Sequence, residues 1–171
     1  MSISVVATPV LATRWVRWLA ASGPHRNPIK DPDGRLTQRN QPDDVFFLAG
    51  TYGGDTLRRC SVPADRPLFF PAFSVWRVGG EPTTLMREAY GRAFVDGHEH
   101  PVEAADSGPE PFVVRGAWRN DITHTRTPVP MRVWGLWATV GPLSPGRHSV
   151  RFEGGAGTDF QTATTYELEV G

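Results

Sequence analysis

The chain has 171 residues, with 18 basic side chains, 18 acidic ones and a single cysteine, Cys60. That length buries a core without staples and reads as one domain over 1–171, and the zero formal net charge argues against a broad footprint for nucleic acid or anionic membrane. One cysteine makes no internal disulfide, which fits a reducing compartment, and no run approaches the roughly 20 apolar residues of a membrane span. Lys30 is the only lysine. The excess of arginine, with abundant Ala, Gly and Pro, reads first as GC-rich codon usage and second as a preference for carboxylate or phosphate forks.

The opening MSISVVATPVLATRWVRWLAAS has no basic n-region, and Arg14 and Arg17 break its apolar run, so it does not read as a signal peptide. Thr13 is placed to cap a short helix with Trp15, Trp18 and Leu19 on one face, ended by Gly23-Pro24. From His25 to Asp44 the text is loop-like, with a turn at Asp33-Gly34. A loop of about 20 residues packs over a surface or is functional. Short β-rich runs follow at Val45–Leu48, Arg59–Val62 and Leu68–Val75. Pro82–Tyr90 reads as a second short helix. Arg92–Val95 and His98–Glu103 flank Asp96-Gly97, a hairpin signal. Phe112–Trp118, Met131–Val140, His148–Glu153 and Thr162–Val170 complete the strands. In the last, Thr164, Tyr166, Leu168 and Val170 share a face. These runs predict an all-β domain, an antiparallel sandwich or barrel of jelly-roll-like form with one or two short peripheral helices.

Several segments resemble a widespread bacterial family of uncharacterised, mostly secreted proteins. The matching text is RWVRWLAA, NPIKD with DG, Gln41, VFFLAGTYGG, RRCSVPADRPLFFP, and WGLWATVGPLSPGRHSVRFEGG with TTYELEV. The resemblance covers both ends, while the stretch from about Arg77 to Pro130 departs from it. It implies a folding signature and no known reaction. Where the family pattern carries a cysteine after the early Asp-Gly turn, this chain has Thr37 or a close neighbour. The resemblance therefore implies a lost bridge to Cys60 and an intracellular, cytoplasmic relative, with a specialised-metabolite pathway in GC-rich bacteria as one setting.

Three constellations carry chemistry. His98 and His100, on an extended strand, point to one face and would bind a metal if His124, Asp121 or His148 supplied a third ligand. Pro142–His148 also echoes the second motif of metal-binding cupins. The plainer reading is a solvated hairpin and a Pro-Gly turn. Asp121 and His124 form a workable acid/base pair if a cavity brings them together; otherwise they sit in a surface loop. The aromatic residues Trp15, Trp18, Tyr52, Phe69, Phe70, Phe73, Trp76 and Trp118 either line a pocket or fill the core, and Trp134 and Trp137 fall on opposite faces of one strand. Cys60 reads as a buried half-cystine. Gly50–Gly54 lacks the Gly-Lys-Ser/Thr ending of a phosphate loop.

The leading expectation is a small enzyme of the cyclase, isomerase or lyase type. It would hold an apolar small-molecule substrate in a β-cavity without cofactor or metal. Asp121, His124, His98 and His100 would be catalytic, with Arg119, Arg87, Trp15, Trp18, Tyr52, Trp76 and Trp118 on the substrate. The competing readings are a non-catalytic small-ligand or carbohydrate module and a cupin-like metalloenzyme. Neither nucleic acid nor membrane is expected as a partner, and a homo-oligomer is left open.

Overall fold

The structure is a computed structural model describing residues 6–80 and 83–171. Helix α1 (Thr8–Ala20) begins two turns' worth of residues earlier than Thr13 suggested. Ala7 is its N-cap, and a proline lies in its first turn, where the missing N–H costs nothing. Thr13 sits inside the helix, its hydroxyl donating to the Val10 carbonyl. A single 3₁₀ turn follows at Pro28–Lys30. The strands are β1 (Phe46–Phe47), β2 (Gly54–Val62), β3 (Leu68–Val78), β4 (Ala89–Val95), β5 (His98–His100), β6 (Glu103–Asp106), β7 (Phe112–Val114), β8 (Val129–Val140), β9 (Gly146–Ala156) and β10 (Phe160–Val170). Between β3 and β4 the helix expected over Pro82–Tyr90 shrinks to α2 (Thr83–Arg87), with Ala89 onward recruited into β4; Glu81 and Pro82 lie outside the described residues.

Two five-stranded sheets form. One has the order β1-β3-β8-β6 with β7 also on β8; the other runs β2-β10-β9-β4-β5. One of them curls into a half-barrel. The mostly-β expectation holds, but both sheets are mixed, because β1 lies parallel to β3 and β2 parallel to β10. The Asp96-Gly97 hairpin forms as read: both residues take positive φ, 50° and 79°, and Val95 pairs with His98, as a two-residue primed turn requires.

Alternation along β3 and β8 splits the core into two layers. Phe69, Met131, Val133 and Trp137 face α1, whose Leu11, Trp15 and Leu19 recur at helical spacing. Phe70, Ala138 and Val140 face the second sheet and meet Phe152, Tyr166 and Leu168. The expected face of β10 is the buried one, Thr164 through Val170. Trp137 is buried under α1, while Trp134 on the other face is half-buried beside Phe73.

Register along β3 slips between Pro71 and Phe73, leaving Ala72 as a bulge against β8. A bulge bends its strand and re-aims the side chains beyond it. Here it turns Phe73 toward Phe160 at a 6.1 Å centroid separation. Gly154 makes room for the bulge, since a Cβ there would overlap the Ala72 and Tyr90 carbonyls.

Candidate active site

The loop from His25 to Asp44 packs over a surface, and buried polar side chains tie it there. The Asn27 side chain accepts from the Ile29 amide at 3.1 Å and donates to the Leu19 carbonyl at 2.9 Å. The buried Asp31 carboxylate takes the amides of Gly34 (2.9 Å) and Leu36 (2.8 Å). Gly34, at φ 104°, lies flat against the backbone of Arg59, where any Cβ would overlap. The Arg59 amide donates to the Asp33 carbonyl at 2.9 Å, so the loop covers the free edge of β2.

Arg58 joins this loop to the sheet. It points inward from β2 with 1% exposure. Its Nε donates to the Asp31 carbonyl (2.7 Å). Nη1 donates to the carbonyls of Ala49 (2.7 Å) and Gly50 (2.9 Å) and to the Tyr166 hydroxyl (3.0 Å), and Nη2 to the Ile29 carbonyl (3.2 Å). One guanidinium thus holds both segments that wall a cavity: Ile29, leading into Lys30, and Gly50, leading into Tyr52.

That cavity, of about 200 Å³, lies where α1, the 3₁₀ turn and the bulged part of β3 converge. Trp15, Trp76, Phe73, Phe152, Phe160 and Tyr52 supply most of its apolar wall, and Thr51, Ser74 and Thr162 bring hydroxyls. Trp15 and Trp76 meet at 6.0 Å between centroids, and the Trp15 indole N–H is fixed by the Leu48 carbonyl at 2.9 Å. Outside the cavity lining, the half-exposed Lys30 ammonium lies 6.0 Å from the centroid of the Tyr52 ring and forms an ion pair with Asp121 Oδ1. The Asp121 side chain is 14% exposed, and its Oδ2 is buried with no hydrogen-bond partner among the described residues. Burial, and then the negative charge of Asp121, push the Tyr52 hydroxyl up to about 12. Tyr52 is nonetheless 44% exposed, and like any tyrosine it is neutral at neutral pH.

Asp121 is aimed by its neighbour. Asn120 is fully buried; its Oδ1 accepts from the amides of Ile122 (3.0 Å) and Thr123 (2.8 Å), and its Nδ2 donates to the Ala117 carbonyl (2.9 Å) and the Thr123 hydroxyl (2.8 Å). The partner of Asp121 is Lys30 rather than His124, which is exposed at φ 59°.

The other expected residues spread over the molecule. Trp15, Tyr52 and Trp76 line the cavity; Trp18 is core, its indole on the Arg39 carbonyl at 2.8 Å. Trp118 is 57% exposed with the Arg119 guanidinium 5.1 Å from its ring centroid. Arg87 is exposed on α2. His98 is exposed and sits on the Asp96 carbonyl at 3.1 Å, and His100 on the Thr139 carbonyl at 2.9 Å. Among the described residues no three His, Cys, Asp or Glu side chains converge as metal ligands, and no helix is long and apolar enough to cross a membrane. Wider grooves are walled by ion pairs. The one of about 830 Å³ over β2, β10 and β9 contains Arg59 with Glu167 at 2.5 Å and Arg147 with Glu169 at 3.4 Å.

No known family, curated protein or solved structure matches this chain.

The functional reading therefore rests on geometry alone. Lys30 escaped the sequence reading, although its signal was in plain sight. It is the only lysine of the chain, but its place beside Tyr52 and Asp121 depends on segments far apart in sequence. Phe73 is among the aromatic candidates, whereas Phe160 escaped because only the Ala72 bulge turns Phe73 toward it.

His148 is a structural latch. Its Nδ1 faces Asp96 Oδ2 at 2.7 Å and its Nε2 faces the Ser144 carbonyl at 2.8 Å. Both neighbours accept, an arrangement that favours the doubly protonated ring. The Asp96 hydrogen bond, then that of Ser144, raises the His148 pKa above 6.5. The Ser149 amide, then His148, lowers that of Asp96 below 3.8. The raised histidine stabilises fully below pH 6.5 and loses its contribution as pH rises through its folded value. The lowered aspartate stabilises above 3.8 and loses its contribution as pH falls through its folded value. The melting temperature of wild type minus that of Asp96→Ala should therefore be largest between pH 4 and 6.5 and shrink on either side. A flat difference from pH 4 to 9 would refute the latch.

Proposed function

We propose that the protein is a small enzyme of the isomerase, lyase or cyclase type. It holds an apolar small molecule in the aromatic cavity, with Tyr52 as the polar group in the cavity wall and without a cofactor. The observation that carries this reading is an aromatic-walled cavity whose lining includes Tyr52, with the Lys30 ammonium 6.0 Å from the centroid of that ring and paired in turn with Asp121. Convergent ionisable groups beside an apolar pocket are the ordinary signature of a site. At about 200 Å³ the cavity is below the roughly 300–1,000 Å³ of drug-sized sites, so the ligand is of single-ring size. Specialised metabolism is the setting we favour.

Saturation-transfer NMR with a set of single-ring ketones, phenols and lactones is expected to find binders. Ser74→Phe, which fills the cavity from β3, should abolish their signal while leaving the fold intact. If no ring compound binds, or if Ser74→Phe binds equally, the cavity is not the site. The second reading, a carbohydrate module, rests on Trp118 alone; oligosaccharide binding lost in Trp118→Ala would favour it.

We place the protein in the cytosol, with Cys60 unpaired. Burial pushes the Cys60 thiol up to about 12, which makes it a poor nucleophile. Ellman's reagent should leave the native protein unmodified and titrate one thiol after denaturation. Rapid reaction of the native protein would contradict this.

A further inference from the structure

We propose a second functional surface, independent of the cavity: the loop between β7 and β8, with the end of α1 and the turn after it, docks a short acidic segment of a partner protein. The first observation is where the charge lies. Residues 17–30 and 113–128 carry six basic side chains and one acidic, Asp121, in a chain whose 18 basic and 18 acidic residues cancel. Asp121 is already taken by Lys30. The fold brings the two segments together. The Ala117 amide donates to the Ala20 carbonyl at 2.8 Å, and Arg17 Nε donates to the Val113 carbonyl at 3.1 Å. A Cβ on Gly23 would lie 3.6 Å from the Trp118 carbonyl oxygen, and the Arg26 amide donates to the Gly23 carbonyl at 3.2 Å.

The second observation is that these arginines lack partners. Arg26, Arg115, Arg119 and Arg126 are exposed, and none makes an ion pair or a side-chain hydrogen bond among the described residues. Arg14, Arg59, Arg92 and Arg151, by contrast, each sit on a carboxylate. A group of like charges repels itself, and an anionic partner relieves that repulsion. The planar fork of arginine fits a carboxylate through two parallel hydrogen bonds. Beside them Trp118 is 57% exposed, its ring centroid 5.1 Å from the Arg119 guanidinium. Tryptophan and arginine are the residue types that carry most binding energy at protein interfaces. The partner that fits is a run of Asp and Glu with one apolar side chain seated on Trp118.

The surface is formed in advance. Asn120, fully buried, holds Ala117, Ile122, Thr123 and Thr125 by hydrogen bonds. Arg119 and His124 take positive φ, 52° and 59°, a conformation that side-chain-bearing residues keep only where surrounding contacts hold them. Docking therefore orders little of the loop. Single-stranded nucleic acid fits less well. Its binders stack successive bases on several aromatic side chains, and Trp118 is the one exposed aromatic in the two segments.

Fluorescence anisotropy tests this with the labelled peptide Glu-Asp-Glu-Leu-Glu-Asp-Glu and its amide counterpart Gln-Asn-Gln-Leu-Gln-Asn-Gln. Wild type should bind the first and not the second, and more weakly as salt rises from about 50 to about 300 mM. Trp118→Ala and the double reversal Arg26→Glu with Arg126→Glu should each weaken binding about tenfold or more. The side chains reversed make no hydrogen bond, so melting temperatures should stay at the wild-type value. Arg147→Glu, on β9, changes the net charge in the same sense and should alter affinity by less than about twofold. Ser74→Phe should bind the peptide as wild type does, which separates this surface from the cavity. No binding of the acidic peptide at low salt would overturn the proposal. So would equal binding by Trp118→Ala and the double reversal. Tighter binding of a labelled oligothymidylate of equal charge, lost in the same variants, would assign the face to nucleic acid and overturn the protein partner.

Discussion

Arg58→Met should cost about 3–5 kcal/mol, the cost of removing one side of a buried charged hydrogen-bond network. Against a total stability of about 5–15 kcal/mol, that leaves a protein partly or wholly unfolded at room temperature. The guanidinium is 1% exposed and donates to the carbonyls of Ile29, Asp31, Ala49 and Gly50 and to the Tyr166 hydroxyl. Methionine fills the volume and leaves those oxygens facing apolar carbon. Lysine keeps the charge but lacks the fork, so Arg58→Lys should fall between wild type and Arg58→Met. Urea denaturation followed by circular dichroism reads the difference. The cavity should suffer too, because Ile29 and Gly50 both wall it; ketone binding is expected to vanish in Arg58→Lys even where that variant folds. A Met variant as stable as wild type would show that the clamp carries no net stabilisation.

Asn120→Ala is expected to cost about 2–4 kcal/mol, from leaving the buried amides of Ile122 and Thr123 without an acceptor. For a chain of this size that corresponds to a drop of about 2–4 °C in Tm per kcal/mol. Asn120→Asp keeps the acceptor and loses the donors to Ala117 and Thr123, so it should sit between the two. The same asparagine fixes the turn that presents Asp121 to Lys30. His124→Ala is the control: exposed, with only its backbone amide bonded, to the Asn120 carbonyl, it should lower stability by less than about 0.5 kcal/mol. A loss in His124→Ala as large as that in Asn120→Ala would show that the turn depends on the histidine side chain as well.

Much of the fold was legible because its signals are local. Alternation in Thr162–Val170 depends only on the two-residue strand period, and it grouped Thr164, Tyr166, Leu168 and Val170 on the one face that the structure then buries. Asp96-Gly97 needs only two residues able to take positive φ, and at Asp33-Gly34 the glycine alone takes it. The odd and even positions of Trp137 and Trp134 separated the core tryptophan from the half-buried one. Local propensity failed where long-range pairing overrode it. Ala89–Tyr90 left the expected helix because β9 offers partners in Ala156 and Gly155. The parallel pairing of β2 with β10 joins residues more than a hundred positions apart.

Composition and pattern by themselves determined that this chain is mostly β, where its main turns fall, and which residues of its last strand share a face. Only the tertiary structure decided the site. Lys30 and Asp121 stand 91 residues apart, and no local pattern ties them. Arg58 reads in sequence as one more surface arginine until β2 turns it inward beneath the loop. Phe73 and Phe160 meet only because Ala72 bulges and Gly154 leaves room. A side-chain period is set by the backbone within a few residues, whereas the distance between a carboxylate and its cation is set by how whole segments pack.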